Sequence, residues 1–318
     1  MTSALPATSG SDTDHLARRL AYLTVCVPAA GFVAAVVFSW HYGFTVTDGV
    51  LLAVMYVVTA LGVEGGLHRF FSHKAFAAGP VVTTVWGVAG SMAAQGPILF
   101  WVATHRMHHA HTDTDGDPHS PRPLGTDRLA RLRGLWHGHV GWLFTVRRSG
   151  WSGHVPDLMA HRTVMRINRH YFSWVALGLV LPAAVGGLVG GGVTGAVGGL
   201  LWGGLARIFL LDQVTWGVNS IGHTLGNRPF RTRDNSRNVA ALAPFSVGGS
   251  WHNNHHAQPA LAVTRRTFWQ LDIAGSVIQL ADRAGLVTNV RYPKPAADDP
   301  PGRSRKPADS HSADNARR

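Results

Sequence analysis

Cysteine is almost absent from this chain of 318 residues, because Cys26 is the only one. A single thiol cannot form an intrachain disulfide, a CxxC redox pair or the thiolate set that holds an iron–sulfur cluster. Cys26 also lies within an apolar stretch, away from any pattern of metal ligands. Any electrons that the protein uses must therefore come from another molecule.

Charged residues are also scarce, at 14%, whereas hydrophobic residues make up 46% of the chain. This balance disfavours an ordinary soluble enzyme. The apolar residues gather into stretches of about 20 residues, the length that a helix needs to cross a bilayer. We predict four transmembrane helices, at 20–39, 48–67, 171–190 and 195–216. The predicted fold class is an all-α integral membrane protein, with two helical hairpins beneath a cytosolic helical cap.

Lysine and arginine are absent from the short links between these spans, 40–47 and 191–194. Only Arg207 of the 29 basic residues falls within a predicted span. The positive-inside rule then places both termini and the polar segments in the cytoplasm. The first span lacks a small-residue cleavage pattern, so we expect a retained anchor. Because the basic residues follow membrane topology and form no single stripe, we predict no nucleic-acid partner.

Large apolar residues are rare at both ends of the chain. We predict disorder in 1–19 and 293–318, which leaves 20–292 as one membrane domain. The glycine-rich stretch 186–204 follows no predicted strand, so we interpret it as close helix packing around a tight turn.

The apolar stretch 81–104 is also long enough to span a membrane. A crossing there would place His68 and His73 on the opposite face from His105. We therefore predict that this stretch lies in the interface or folds beneath the bundle.

Histidine is concentrated in three clusters, HRFFSH, HRMHH and HNNHH, and a fourth element, NSIGH, follows the last span. On a helix, residues three and four apart share a face, so each HxxHH triplet can aim three imidazoles at one point. His68 and His73 are five apart and do not share an α-helical face. We therefore expect a helix end or a distortion between them.

The clusters supply nine histidines, each within a turn or two of a predicted membrane exit. Nine ligands exceed the capacity of one metal, whereas two metals with four or five imidazoles each use them all. Imidazole alone does not identify the metal, but a set this large and free of thiolates differs from a closed zinc site. Two irons are the better interpretation, since iron can use O2 to attack an unactivated methylene. The candidate ligands are His68, His73, His105, His108, His109, His223, His252, His255 and His256.

The remaining histidines are interpreted as ordinary polar residues. His111 and His119 are near enough to compete as ligands but fall in the turn-rich loop TDTDGDPHSP, outside the triplet. That loop is not an EF-hand, because its glycine and its twelfth position are wrong. Its acidic residues are expected to support ligand imidazoles, to cap helices or to form a solvated turn.

The three clusters, in this order around two hairpins, resemble the histidine boxes of the membrane-bound fatty acid desaturases. The resemblance is greatest to the Δ9, stearoyl-CoA-desaturase-like branch, whose pattern is matched by HRFFSH, HRMHH with DPHS and GHVGWLF, NSIGH and HNNHH. It implies a non-haem diiron centre held by the nine histidines, with Asn219 reaching one metal through water. It also implies removal of two hydrogens from a saturated acyl chain, with O2 as co-substrate.

The same resemblance implies residues that hold the substrate. Trp101, Gln95 and Thr215 match residues lining a bend in an acyl tunnel, although Trp101 and Thr215 can equally be packing residues. Arg147 and Arg148 match a basic pair that can meet a phosphate. GPILFWVAT departs from the polar residues that hold the CoA headgroup in the animal enzymes. The substrate is therefore expected to be an acyl-CoA or an acyl-lipid.

A haem-binding HPGG is absent, and the tails are too short for a fused cytochrome b5 domain. We therefore expect an external electron donor, a ferredoxin or a flavoprotein reductase, which a basic face would attract. The nearest alternative is a membrane diiron lipid or alkane hydroxylase. A metal transporter is disfavoured, because a lone Arg207 deep in a span fits an interhelical or headgroup contact better than a cation path.

Overall fold

A computed structural model of the protein describes residues 10–121, 127–145 and 150–293. Its helices are α1 (Gly10–Tyr42), α2 (Val46–Leu61), α3 (Pro80–Ser91), α4 (Ile98–His111), α5 (Arg128–His139), α6 (Pro156–Met159), α7 (Arg162–Arg169), α8 (Tyr171–Val189), α9 (Val193–Gly198), α10 (Arg207–Ser220), α11 (Ala243–Ser246), α12 (His252–Ala257) and α13 (Ile273–Arg283). Two π-helical segments, Gly62–Ser72 and Gly199–Ala206, extend α2 and join α9 to α10. Strands β1 (Ala77–Ala78) and β2 (Val287–Thr288) pair antiparallel, with Ala77 opposite Thr288.

Four helices are long and apolar enough to cross a membrane: Ala17–Tyr42, Val46–Ser72, Tyr171–Val189 and Val193–His223. They confirm the predicted number of spans and the all-α membrane fold class. Much of their surface is apolar and exposed, as at Val33 and Val180, which are 60% and 61% accessible. Such faces suit a lipid environment. The predicted sidedness stays a prediction.

The π-helical segment Gly199–Ala206 is the centre of the helical bundle, since α1, α2 and α8 all pack against it. The close approach depends on glycine: a Cβ on Gly186 of α8 would collide with the carbonyl oxygen of Gly195 in α9. Glycine-rich 186–204 therefore packs helices around a tight turn, as predicted. Arg207 follows this segment and donates to the carbonyls of Met92 and Gly178, which tie α10 to other parts of the bundle, and to that of Gly203 one turn earlier.

The stretch 81–104 does not form one continuous helix. α3 ends at Ser91 and α4 begins at Ile98, and between them Ala94 and Gly96 adopt φ values of +62° and +114°. A left-handed backbone followed by Pro97 cannot continue a helix. α3 packs against Gly62–Ser72, so the stretch turns back on itself and forms no single spanning helix; its position in the interface or beneath the bundle stays a prediction.

The cap is fastened to the end of the second span by Arg69. This side chain is 1% exposed and binds Glu64 at 2.8 Å and Asp272 at 2.8 Å. It also donates to the carbonyl of Ala262 at 2.7 Å. A buried arginine is tolerated because its donors meet carboxylate and carbonyl oxygens. The segment 262–272 is thereby held beside the histidines that precede it.

The chain ends differ in part from the sequence prediction. α1 begins at Gly10, so residues 10–19, predicted to be disordered, have helical backbone here. The predicted C-terminal tail lies outside the described residues from 294 onward. Arg147 and Arg148 also lie outside them.

Candidate metal centre

The π-helical segment Gly62–Ser72 explains how His68 and His73 face the same point. In a π-helix the backbone bonds join residues five apart, and the N–H of His73 donates to the carbonyl of His68 at 3.2 Å. Side chains five apart then lie on one face, and the two rings are 5.0 Å apart. The expected distortion between the two histidines is confirmed.

The other clusters lie on α4, on α12 and on the 3-10 turn Ile221–His223. In α4, His105, His108 and His109 project from the last turns, and in α12 the triplet occupies most of a six-residue helix. The amides of Asn253 and Asn254 anchor α12 from behind, donating to Phe230 O at 3.2 Å and Thr264 O at 3.0 Å. The two asparagines therefore fix the position of the short helix, while its histidines remain directed at the other clusters.

The structure brings the nine predicted histidines together in two adjacent groups. Within each group, one ligand atom per residue lies within 4.8 Å of the others. The first group has five members: His68, His73, His105, His109 and His255. The second has four: His108, His223, His252 and His256. The division into five and four matches the arithmetic of two metal sites.

The Nε2 atoms of these rings point at one another. They are 2.8 Å apart between His73 and His105, 3.0 Å between His68 and His255, and 3.0 Å between His109 and His255. In the second group the separation is 3.0 Å between His223 and His252 and 3.4 Å between His108 and His256. Two nitrogens bound at right angles to one metal at about 2.1 Å would lie about 3 Å apart. The spacing thus fits two metals.

Four carboxylates face the opposite nitrogen of four histidines. The Nδ1 of His68 donates to Glu64 at 2.9 Å, and that of His108 donates to Asp117 at 3.0 Å. His223 and His256 donate likewise to Asp113 at 3.0 Å and Asp234 at 2.9 Å. A carboxylate orients a metal-binding imidazole and fixes its tautomer in this way.

The tautomers give a chemical test of the site. With their protons on Nδ1, His108 and His256 face each other through bare Nε2 lone pairs. Two facing lone pairs repel unless a cation lies between them. The donor set therefore fits bound metal ions better than a hydrogen-bonded histidine network.

The electrostatics keep the rings in the form that binds metal. Burial, and then the neighbouring imidazoles, lower the pKa of seven members: His73, His105, His108, His109, His252, His255 and His256. Burial opposes ionisation of Asp113, yet hydrogen bonds from His223, Asn235 and Ser120 bring its pKa below the ordinary value. Neutral imidazoles and ionised carboxylates are the states that metal binding requires.

The acidic residues of the 112–121 loop were expected to support ligand imidazoles. Glu64 and Asp234 were not predicted to do so. For Glu64 a signal was present, since it precedes His68 by four residues and shares its helical face. Asp234 lies 22 residues from His256 in an irregular loop, and only the folded chain brings them together.

His119 belongs to a third, smaller group with His108 and Asp117. Its ring packs against that of His108, with centroids 4.4 Å apart and the ring planes tilted by 30°. Burial, with the charge of His108 next, lowers the pKa of His119 to about 3. His111 is exposed. His139 is a bonded polar residue, 3.0 Å from Ser220 and 3.1 Å from Gln213, as the sequence predicted.

Gln95, Trp101 and Thr215, the predicted bend residues, lie together on the wall of a cavity that reaches His68, His105 and His252. The Gln95 amide donates to Thr215 at 3.0 Å and accepts from the Trp101 indole at 3.3 Å. Asn219 lines the same cavity. A cavity whose surface is mainly apolar and that ends at the histidines is suited to an acyl chain.

Comparison with known proteins agrees with the site. The sequence model described as fatty acid desaturase matches residues 40–278. The hex-5-enoyl-[acyl-carrier protein] acetylenase of Moorena producens is 40% identical over 84% of this chain and 84% of its own length. The sn-1 stearoyl-lipid 9-desaturase of Anabaena variabilis is 34% identical over 80% and 85%. Delta-9 acyl-lipid desaturase 1 of Arabidopsis thaliana is 33% identical over 76% and 74%.

These matches cover most of the chain at more than 30% identity. The chain belongs to the fatty acid desaturase family. It is therefore an oxidoreductase of acyl chains that takes electrons from a donor, and its histidine groups can hold metal.

Proposed function

We propose that the protein introduces a cis double bond into a saturated acyl chain, using O2 and two electrons at a non-haem diiron centre. The observation that carries the proposal is the pair of histidine groups at the end of an apolar cavity. His68, His73, His105, His109 and His255 would hold one iron. His108, His223, His252 and His256 would hold the other, with Asn219 acting through water.

Bound iron would supply the O2 chemistry that no side chain performs unaided. The overall reaction removes two hydrogen atoms from adjacent methylenes, and O2 with two donor electrons and two protons leaves as two waters. The protein's own part is placement, because the chain has no polar handle near the reacting carbons. Gln95, Trp101 and Thr215 would fix where the chain bends.

The Δ9 position is part of the proposal, supported by the names of two relatives and by the box pattern. A second product is favoured by one specific match, the acetylenase of Moorena producens. An acetylenase acts on an existing double bond, so the same centre would remove two hydrogens from an alkene. Hydroxylation is the third outcome that product analysis separates.

The electron donor is proposed to be an external ferredoxin or flavoprotein reductase. The chain has a net charge of +12 and a single cysteine, so it attracts acidic proteins and carries no thiolate cluster of its own. We also propose that both termini and the metal centre lie on the cytoplasmic side, following the distribution of basic residues.

The direct test is expression in a bacterial host together with a ferredoxin and its reductase. Cellular fatty acids are then analysed by mass spectrometry with location of double bonds. The wild type and His41→Ala, an exposed histidine outside both groups, are expected to form the same monounsaturated acid. His108→Ala is expected to form none. An active His108→Ala variant would refute the ligand assignment, and a hydroxy acid would favour the hydroxylase.

A further inference from the structure

Helix α5, which does not span the membrane, carries a row of apolar side chains that points away from the protein. Leu129, Leu132 and Trp136 are three and four residues apart, so their side chains share one face of the helix. They are 54%, 62% and 64% exposed. Single exposed apolar residues are common on protein surfaces, whereas a row of three large ones on one helical face indicates contact with another apolar surface.

The opposite face of α5 is packed against the protein. Ala130, Gly134 and Gly138 are four residues apart and buried, and α5 packs against α10. A Cβ on Gly138 would lie 2.9 Å from the backbone nitrogen of Pro121, so this contact is close. At about 100° per residue, the face of small residues lies roughly opposite the apolar row. The row therefore cannot turn inward without separating α5 from the bundle.

The contacts of α5 place it where the membrane spans end. The ring of His139, its last residue, lies 3.1 Å from Gln213 and 3.0 Å from Ser220, in the last part of the fourth span. Five residues further on, the ring of Phe144 lies 5.0 Å from that of Tyr22, near the start of the first span. The start of the first of four spans and the end of the fourth lie on the same side of a membrane. The helix is therefore beside the boundary between the hydrocarbon core and the headgroups.

Exposed arginines accompany the apolar row. Arg128 and Arg133 lie on either side of it, and Arg131 is exposed as well. Guanidinium groups bind phosphate oxygens in pairs, and the long arginine side chain can reach a headgroup while its neighbours stay in an apolar layer. Tryptophan is enriched at the same depth of a bilayer. The outward face of α5 is thus apolar along its middle and positive at its edges, as the surface of an anionic bilayer requires.

We propose that the outward face of α5 lies in the membrane interface and binds anionic phospholipid, with the apolar row among the upper acyl carbons and the arginines at the phosphates. The position beside the span ends favours lipid over an acidic protein, which would match the arginines but not an apolar row at this depth. The contact is separate from the histidine groups and does not depend on the reaction at them. It would also hold the segment that leads to Trp142, a residue of the cavity wall, at the membrane surface.

The first experiment measures the depth of the apolar row. Cys26 is the only cysteine, so Cys26→Ser gives a background in which the full chain carries one nitroxide label, at Leu132→Cys. The chain is placed in vesicles of phosphatidylcholine and phosphatidylglycerol, and relaxation of the label by O2, which enters the bilayer, is compared with relaxation by a water-soluble nickel chelate. The references are Val33→Cys, exposed on the first span, and Arg231→Cys, exposed in the 225–238 loop. We expect an O2-to-nickel ratio several-fold above that at Arg231→Cys. An equal ratio, or shielding that appears only when an acidic ferredoxin is added, would overturn the proposal.

The second experiment tests the preference for anionic lipid. Fluorescent phosphatidylglycerol is titrated onto the purified full chain in neutral detergent, with fluorescent phosphatidylcholine as the headgroup control. Replacing Arg128 and Arg133 together with Gln is expected to raise the Kd for phosphatidylglycerol about fivefold or more and to leave that for phosphatidylcholine unchanged. Replacing Arg231 and Arg283, two exposed arginines outside α5, with Gln removes the same charge and should change neither. An unchanged Kd in the α5 variant, or an equal rise in the control, would refute a lipid site on this helix.

Discussion

Four histidines are oriented by carboxylates, and we expect metal affinity to depend on each of these carboxylates. Asp234 is the clearest case, because its contact with His256 at 2.9 Å joins the 225–238 loop to α12. Without the negative charge of Asp234, His256 would keep its position, but its proton would be held less firmly on Nδ1 and its Nε2 would be a weaker base.

Asp234→Asn is expected to lower metal affinity by about 10- to 100-fold. The measurement is competition between the protein and a chelator for ferrous iron. Asp282→Asn, a change at an acidic residue of α13 that accepts from the Tyr292 hydroxyl and lies outside both histidine groups, serves as the control and should leave the affinity unchanged. If both variants bind as the wild type does, the carboxylate does not support the site.

Asp212 holds Gln95, one of the three residues that we propose fix where the acyl chain bends. It is 1% exposed and accepts from the Gln95 amide at 3.0 Å, and the same amide group donates to Thr215. Because the side-chain NH2 of Gln95 donates to Asp212 and Thr215, its carbonyl oxygen is turned toward the indole N–H of Trp101. The orientation of the wall at the bend therefore depends on a group that does not line the cavity.

Asp212→Leu is expected to free Gln95 and to broaden the position of the double bond, from one dominant isomer to a mixture. Double-bond location by mass spectrometry measures this, and iron content is determined in the same samples. Asp212→Asn keeps an acceptor and should restore the single isomer. A variant that loses yield but keeps one isomer would show that Asp212 serves stability alone.

At the scale of elements, the π-helical segment Gly62–Ser72 depends on close packing against α3. A Cβ on Gly66 would lie 2.9 Å from the carbonyl oxygen of Trp86, closer than backbone atoms allow. Either α3 or the segment that carries His68 must then move.

Gly66→Ala is therefore expected to destabilise the protein by about 1–3 kcal/mol and to lower its iron content. Thermal unfolding in detergent and metal analysis measure the two effects. Gly79→Ala is the matched control, since nothing lies within 4 Å of the added methyl group at the start of α3. Equal behaviour of the two variants would contradict the packing argument.

Arg106, within the HRMHH cluster of α4, donates to both carboxylate oxygens of Asp157 in α6, at 2.7 and 3.1 Å. Burial opposes ionisation of Asp157, but hydrogen bonds from Arg106 and Lys74 place its pKa below the ordinary value of 3.8. Because the pKa of Asp157 is lower in the folded protein than in the unfolded chain, the pair stabilises the protein above the ordinary pKa of 3.8. This stabilisation is lost as the pH falls from there through the folded pKa.

We therefore expect Asp157→Asn to cost about 1 kcal/mol or less at neutral pH, since the pair is partly exposed and screened. The difference from the wild type should shrink as the pH falls below 4. Unfolding midpoints measured across this range provide the test. A constant difference would mean that Asp157 contributes by shape and not by charge.

The elements that could be predicted from the sequence are those that follow from a pattern of neighbouring residues. The spans follow from runs of apolar residues, and the distortion near His68 follows from a spacing of five. The break at Ala94 and Gly96 was not located, although Gly96 and Pro97 together are a local helix-breaking signal. Asp234 and Asp212 were missed as supporting residues for a different reason, since their partners are distant in sequence.

At the scale of the whole molecule, three parts are arranged in series. A cavity between α1 and α8 adjoins a second cavity at Gln95, and the second cavity reaches the histidine groups under the cap. Arg69 fastens the cap to the second span, so the geometry of the metal centre and that of the membrane bundle are linked. Regiochemistry would then be set by chain depth and not by any group that touches the reacting carbons.

The claim that two irons occupy the two histidine groups is tested most directly by metal analysis and Mössbauer spectroscopy of the purified full chain. We expect two irons per chain in nitrogen-rich surroundings. The His223→Ala variant, which lacks one ligand of the four-histidine group, should bind fewer irons. The His41→Ala variant should bind as many as the wild type. One iron or less per wild-type chain, or full occupancy in His223→Ala, would contradict it.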